Sequence, residues 1–322
     1  MKAIVQDTYG SADVLDLRDI DEPVVGAKDV LVRVQAAAVD RGVWHVMTGL
    51  PYLIRLVSGV RAPKTRVPGT DVAGRIEAVG KDVTRFQPGD EVFGTCRGSF
   101  ANYTSAREDK IAPRPANLTF EQAATVPTSA STALQGLRNA GKLQPGHKVL
   151  IIGAAGGVGT FAVQLAKAFG AEVTGVCSTT KLDLVRSIGA DDVIDYTRDD
   201  FAETGQRYDL ILDIAGNRSL GHLRRALAPQ GTLVIAGGEG GGRFFGGIDR
   251  QLRAQVLSPF LAQRLGTFIA KQNSGDLVVL KELIEAGKLT PVIDRTYPLR
   301  ETPEAIRYLE KGQARGKVSI TL

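Results

Sequence analysis

The sequence predicts an α/β chain with a β-rich first portion, followed by a doubly wound domain built on a parallel sheet. Three observations carry this. Val30-Leu-Val-Arg-Val-Gln35 alternates apolar and polar residues with a period of two, the pattern of a half-buried strand. After about residue 123, short branched apolar runs alternate with stretches of helical spacing. One of those runs leads directly into a glycine-rich turn, Gly153-Ala-Ala-Gly-Gly-Val-Gly159, which opens a helix. With 322 residues, the chain has room for about two domains of ~100–200 residues each.

In the β-rich portion, Val72 to Val79 and Glu91 to Phe93 are further strand candidates. They are bounded by Pro68-Gly69, Gly80 and Pro88-Gly89-Asp90. Such turn-separated strands suit either a compact barrel or a sandwich. Beyond residue 123, Lys148 to Ile152 is a continuous apolar run and Val158 to Phe169 repeats its apolar residues at helical spacing. Glu172 to Cys177 is strand-like and Leu182 to Ile188 helical. Val193-Ile194, Leu210 to Ile214 and Thr232 to Ala236 continue the series. Branched strands alternating with helices indicate a parallel sheet covered on both faces. In the tail, Leu277 to Ala286 is an amphipathic helix ended by Gly287-Lys288. Thr302-Pro303-Glu304 looks like an N-cap with proline at the first helical position, opening Ala305 to Leu309, and Val318 to Leu322 is a terminal strand. The glycine-rich stretch Gly237 to Gly247, with Phe244 and Phe245 inside it, reads as a loop.

Composition narrows the function classes. Hydrophobic residues at 43% and charged residues at 23% are ordinary for a soluble globular protein. The net charge of +5 comes from 40 basic and 35 acidic residues that are interspersed, with no dense Lys/Arg run. That disfavours a nucleic-acid groove and suits a protein that binds a phosphorylated cofactor. The first ten residues show no signal-peptide pattern, and no stretch of ~18 apolar residues occurs, so a cytoplasmic protein with no membrane partner is expected. Cys96, Cys177, His45, His147 and His222 are scattered without CxxC or HExxH spacing, so packing or surface chemistry is preferred and no metal is expected.

The glycine-rich turn carries the strongest chemical signal. Placed after a strand and before a helix, it has the context of a dinucleotide fingerprint, in which backbone amides approach a pyrophosphate at the positive end of the helix. The strict G-x-G-x-x-G pattern is replaced by A-x-G-x-x-G, because its first position is Ala154. A purely structural turn is the alternative. About 20 residues further on, an NAD enzyme usually places an acid for the ribose hydroxyl. Here Gly175 to Lys181 contains none, and Ser178, Thr179 and Lys181 suit a 2′-phosphate instead, which favours NADPH. Ser178 or Thr179 could equally cap the following helix, and the two roles are compatible.

These features together resemble the medium-chain dehydrogenase/reductase superfamily, in its zinc-free quinone oxidoreductase (zeta-crystallin-like) branch. The matching pieces are Pro68-Gly-Thr-Asp-Val-Ala-Gly74, Pro88-Gly-Asp-Glu-Val92, Pro127 to Leu137, Gly153 to Gly159 and Arg315-Gly-Lys317, and the likeness runs nearly from end to end. The resemblance implies a GroES-like catalytic domain from both chain ends (1–123 and 263–322) with a Rossmann domain (124–262) inserted. It also implies a cleft for the nicotinamide, and a homodimer joined through the Rossmann sheets. It places Ala155, Gly156, Gly157, Val158 and Gly159 against the pyrophosphate, and Ser178, Thr179, Lys181 and Tyr196 at the 2′-phosphate. Thr132 falls near the nicotinamide amide, and Lys317 and Gln313 on a closing segment facing the cofactor. For Tyr196 and Thr132 ordinary loop packing is the alternative. Where zinc members carry a Cys and a Gly-His-Glu motif, this chain has Val39-Asp40-Arg41 and Gly69-Thr70-Asp71.

The chain departs from the branch at Asp40-Arg41-Gly42-Val43, where Asn-Pro-Val-Asp is typical. Asp40 could hydrogen-bond cofactor or substrate, or form a surface pair or turn. Tyr52 lies one residue off a tyrosine that protonates substrate in related enoyl reductases, and an aromatic wall with Trp44 is the alternative. The expected function is delivery of hydride from NADPH to a quinone or another activated carbonyl or alkene. An enone or enoyl-thioester reductase, or an NADPH-responsive binding protein with little catalysis, is the rival.

Overall fold

The structure is a computed structural model, which describes residues 1–238 and 242–322. In chain order its strands are β1 (Lys2–Val5), β2 (Asp16–Asp19), β3 (Asp29–Val39), β4 (Asp71–Val79), β5 (Glu91–Thr95), β6 (Tyr103–Arg107), β7 (Ile111–Pro113), β8 (Lys148–Ile152), β9 (Glu172–Cys177), β10 (Asp192–Asp195), β11 (Tyr208–Asp213), β12 (Leu227–Ile235), β13 (Arg264–Thr267), β14 (Ile293–Pro298) and β15 (Lys317–Thr321). Two compact units result. The first is Met1–Ser131 with Lys271–Gly287 and Pro291–Leu322; the second is Thr132–Ala270 with Lys288–Thr290. The breaks fall downstream of the expected 123 and 262. The first lies inside the helix Pro127–Gln135, so no turn or change of composition marks it.

The first unit is organised on a seven-stranded sheet of order β14-β15-β3-β4-β5-β7, with β6 also pairing β3. The alternating segment at its centre is longer than its pattern suggests. In β3 only Arg33 is exposed, and the small Ala36-Ala37-Ala38 continue the strand to Val39. Its apolar side chains serve two cores. Val30, Val32 and Val34 pack with Val72, Ile76, Val92 and Ile111. Ala37 and Val39 pack with Ile4, Phe100, Ile306 and Ile320. The helix Phe120–Ala124 is opened by a capping box in which Thr119 and Gln122 satisfy each other's backbone amides. Thr302 is not the N-cap expected of it: it is the first helical residue, after Glu301, and its hydroxyl donates to the Leu299 carbonyl.

The second unit is a six-stranded, fully parallel sheet of order β10-β9-β8-β11-β12-β13. Counted within the unit, this is 3-2-1-4-5-6, the doubly wound order that predicts a ligand site outside the carboxyl ends, where the order reverses. The reversal lies between β8 and β11. Leu150, Ile152, Val176, Ile211, Leu233 and Ile235 fill one core of the sheet. Of the expected loop Gly237 to Gly247, residues 239–241 lie outside the described residues; Gly247 adopts the left-handed conformation before the helix Ile248–Leu257. No helix among the described residues is long and apolar enough to cross a membrane.

Candidate functional site

In the second unit, the turn after β8 is built for close approach. The amides of Gly153 and Ala154 both donate to the Val176 carbonyl at 3.1 Å, which folds the chain tightly over the end of β9. Gly153 has φ of 89°, open to glycine at no steric cost. Gly156 precedes the helix Gly157–Ala168 and offers no capping side chain, so the first amides of that helix are left without an intrahelical acceptor. An anion at this end also meets the positive pole of the helix. Ala155, Gly156, Gly157, Val158 and Gly159 all sit on this turn and first helical turn.

Gly159 also serves packing. A Cβ there would lie 2.1 Å from the Gly153 carbonyl oxygen and 2.7 Å from Ala154 backbone atoms. Backbone cannot swing aside as a side chain can, so helix and strand would have to separate. Gly159→Ala is expected to weaken cofactor binding at least tenfold and lower Tm. Gly221→Ala, where a Cβ meets nothing within 4 Å, serves as the control. Fluorescence titration and thermal melts of both variants check this.

Next to this turn β9 and β10 end together, Asp195 pairing with Cys177 in register. Tyr196 follows Asp195, its amide donating to the Cys177 carbonyl at 3.1 Å and its ring about half exposed. Ser178 caps neither the 3-10 turn it precedes nor the helix Leu182–Ser187, so capping does not account for it. Thr179 is differently employed: its hydroxyl donates to Asp195 at 2.5 Å, which holds the Asp195 carboxyl below its ordinary range. With its proton committed, Thr179 has none to give a phosphate. Ser178, Thr180 and Lys181 carry the other side-chain donors of this segment. Thr132, half-buried, is the first residue of the unit, on the helix Pro127–Gln135.

Sequence reasoning missed a further element of this unit. Asp213, at the end of β11, is fully buried, and burial pushes its carboxyl up despite the guanidinium beside it. Arg250 Nη1 donates to Asp213 Oδ2 at 2.7 Å and to the Arg218 carbonyl at 2.8 Å, and Nη2 to the Gly237 carbonyl at 3.1 Å. The Gly216 amide donates to the other Asp213 oxygen at 3.0 Å. An acid inside the apolar run Leu210 to Ile214 was the readable signal.

In the first unit, Asp40 follows β3 and caps the helix Arg41–Thr48, its Oδ1 accepting from the Val43 amide at 2.9 Å. Its Oδ2 is buried with no hydrogen-bond partner. Tyr52 opens a short 3-10 turn, its ring 4.8 Å from the Arg55 guanidinium; Arg55 also lies over the Tyr9 ring and donates to the Gly49 carbonyl at 3.0 Å. Arg55 thus contacts both tyrosine rings, and Trp44, the partner of Tyr52 in the alternative reading of an aromatic wall, stands edge-on to His45. Gln313 is exposed. Lys317, expected to face the cofactor, is enclosed in the first unit. Only 2% exposed, it donates to Ser129 Oγ at 3.0 Å and the Val39 carbonyl at 3.4 Å, with Asp71 Oδ2 at 3.9 Å.

Among the described residues no group of three or more His, Cys, Asp or Glu side chains is placed to hold a metal ion. His45 Nδ1 lies 2.7 Å from the Leu50 carbonyl, and His222 pairs with Asp200 at 2.6 Å. Burial pushes the Cys96 thiol up to about 12 and the Cys177 thiol up to about 11, so neither is a ready thiolate.

Residues 26–116 match the family described as alcohol dehydrogenase GroES-like domain, and residues 188–320 the family described as zinc-binding dehydrogenase. The 2-methylene-furan-3-one reductase of Solanum lycopersicum is 34% identical over 99% of this chain and 79% of its own length. The NADPH-dependent alkenal/one oxidoreductase, chloroplastic, of Arabidopsis thaliana is 33% identical over the same shares. Among solved structures, the quinone oxidoreductase from Coxiella burnetii superposes with a TM-score of 0.85 at 28% identity, over 100% of this chain and 99% of that one.

Proposed function

The chain belongs to the medium-chain dehydrogenase/reductase superfamily, in its quinone-oxidoreductase branch, and is an NAD(P)H-dependent oxidoreductase; from that premise we propose that it is a zinc-independent enzyme that uses NADPH to reduce a quinone or an activated alkene. The observation that carries the cofactor choice is the end of β9, where Ser178 and Lys181 stand in place of a ribose-binding acid and Ser178 is not used as a cap. NADPH supplies the hydride when bound. The turn Gly153–Gly159 would hold its pyrophosphate, and Ser178, Lys181 and Tyr196 its phosphorylated ribose. Zinc independence rests on the donor set: Asp40 and Thr70 replace the usual cysteine and histidine, and neither is a soft or imidazole ligand. Asp40 and Tyr52 are the residues proposed to meet the substrate. A homodimer is part of the same reading, supported by the open edge strand β13, flanked by exposed Phe260 and Ile269.

NADPH is expected to bind at least tenfold more tightly than NADH, a difference of ~1.4 kcal/mol that one charge-assisted contact can supply. Lys181→Ala should erode that preference with the fold intact. Equal affinities for the two cofactors in a fluorescence titration would remove the NADPH assignment. An aerobic screen of NADPH oxidation across quinones, enones, enoyl thioesters and aldehydes tests the reaction, and no consumption with any acceptor would favour a binding protein. The names of the alkenal/one and furanone reductases favour an enone as second substrate class.

A further inference from the structure

The ends of three adjacent strands bring two acids and one base together inside the first unit. In the antiparallel pairing of β15 with β3, Val318 faces Val39, which sets Lys317 opposite Asp40. In the pairing of β3 with β4, Ala38 faces Asp71. Asp71 is fully buried and Lys317 is 2% exposed. Thr128 donates to Asp71 Oδ1 from both its amide, at 3.1 Å, and its hydroxyl. Lys317 Nζ is bound to Ser129 Oγ and the Val39 carbonyl, at the residue before Asp40. The other oxygens lack hydrogen bonds: Asp40 Oδ2 and Asp71 Oδ2 are both buried without a hydrogen-bond partner, and so is Ser131 Oγ on the helix that carries Thr128 and Ser129.

Two carboxylates and one ammonium in such a place carry a net charge of −1, and only one carboxylate is compensated. Burial makes the second charge costly, and neighbouring carboxylates resist ionising together. A proton on either orphaned oxygen removes the excess charge, and an orphaned acceptor leaves that proton free to move.

We propose that Asp40, Asp71 and Lys317 form a trio that holds one mobile proton, with Lys317 and Asp71 as positioning residues and Asp40 as the group that passes the proton to the oxygen of the reduced substrate. This rests on the reductase reading above. The step balances simply. The trio's one proton passes from Asp71 to Asp40, and the substrate oxyanion takes it from the Asp40 carboxyl, the O–H bond of the acid breaking as that of the product forms. After product leaves, a proton from water restores the trio through Asp40.

The electrostatics agree. Burial pushes the Asp71 carboxyl up to about 7, with Lys317 opposing and Asp40 adding to the rise. Other groups around it do not supply a second proton. Cys96 after β5 stays a thiol at neutral pH. The helix Pro127–Gln135 contributes only neutral side chains, and the helix Phe120–Ala124 has Glu121 as its one charge, partly exposed. Arg41, next to Asp40, lies 5.4 Å from the Trp44 ring.

The test is infrared titration of the intact protein without substrate, alongside the pH profile of quinone reduction. Wild type should show a protonated-carboxyl band that disappears as pH rises through about 7. Asp71→Asn should abolish it, Asp40→Asn should move its midpoint down, because the neighbouring like charge is gone, and Lys317→Met should move it up by at least one pH unit, because the compensating charge is gone. The alkaline limb of kcat should move with the band in Lys317→Met, and Lys317→Arg should restore most of the wild-type midpoint. A band of unchanged midpoint in every folded variant overturns the shared proton. A band that follows the variants while the limb of kcat stays fixed overturns delivery by Asp40. If no acceptor is reduced at all, the reductase reading fails, and the spectra still decide whether the proton is shared. Should Asp71→Asn not fold by circular dichroism, Asp40→Asn and Lys317→Met carry the same decision.

Discussion

Arg250→Met is expected to destabilise the nucleotide unit by about 3–5 kcal/mol, the usual result of stranding one member of a buried ion pair. Methionine keeps the aliphatic bulk of the arginine stem, so the loss reports charge and hydrogen bonding more than a cavity. Asp213 would keep the Gly216 amide on one oxygen and lose Arg250 on the other. The sign of the pH dependence follows from burial. The folded Asp213 carboxyl already lies above its ordinary value, and removing the guanidinium raises it further. A carboxyl raised in the folded state favours folding below its unfolded pKa, and that advantage is lost as pH rises through the folded value. The deficit of Arg250→Met should therefore be smallest in acid and grow as pH rises. Urea melts at several pH values measure it. Adding Asp213→Asn to Arg250→Met should recover most of the loss, because the stranded charge is gone. A deficit independent of pH, unrelieved by the second substitution, would mean that Arg250 stabilises through packing alone.

How much of this was legible in the sequence depends on the range over which each feature is encoded. The parallel sheet was readable because its strands are short, branched and buried on both faces, whereas their order came only with the pairing. The edge strand β13 was missed: Arg264–Thr267 has one fully buried side chain, Leu265, and no periodicity to show. In the first unit, alternation found the start of β3 but not its reach, since Ala36 to Val39 is buried on both faces and loses the period of two. Site residues divide in the same way. The turn Gly153–Gly159 is local, so its place between a strand and a helix could be read from spacing. Lys317 could not, because its neighbours Ser129, Val39 and Asp71 come from three distant segments joined only by sheet register. Thr179 was likewise ambiguous until Asp195, 16 residues later, claimed its hydroxyl.

Tyr52→Phe is expected to slow reduction of an activated alkene by about 10²–10⁴-fold, the range for losing a general acid. The structure makes this substitution clean. The ring rests on Arg55, which is held by the Gly49 carbonyl and by Tyr9 on its other side, and phenylalanine keeps that stacking. Only the hydroxyl is removed. A quinone accepts its proton on oxygen, where Asp40 and water both serve, so its reduction should fall far less. The two substrate classes therefore separate carbon protonation from oxygen protonation in one variant. NADPH affinity should stay within about twofold, because the proposed phosphate contacts belong to the other unit. Steady-state kinetics on a matched enone and quinone decide the matter. Equal losses on both substrates would point to a disturbed segment rather than a missing acid, and circular dichroism with a Tyr9→Phe comparison would locate that disturbance. Wild-type rates on both would reduce Tyr52 to a packing partner of Arg55, leaving the proton for carbon to come from solvent.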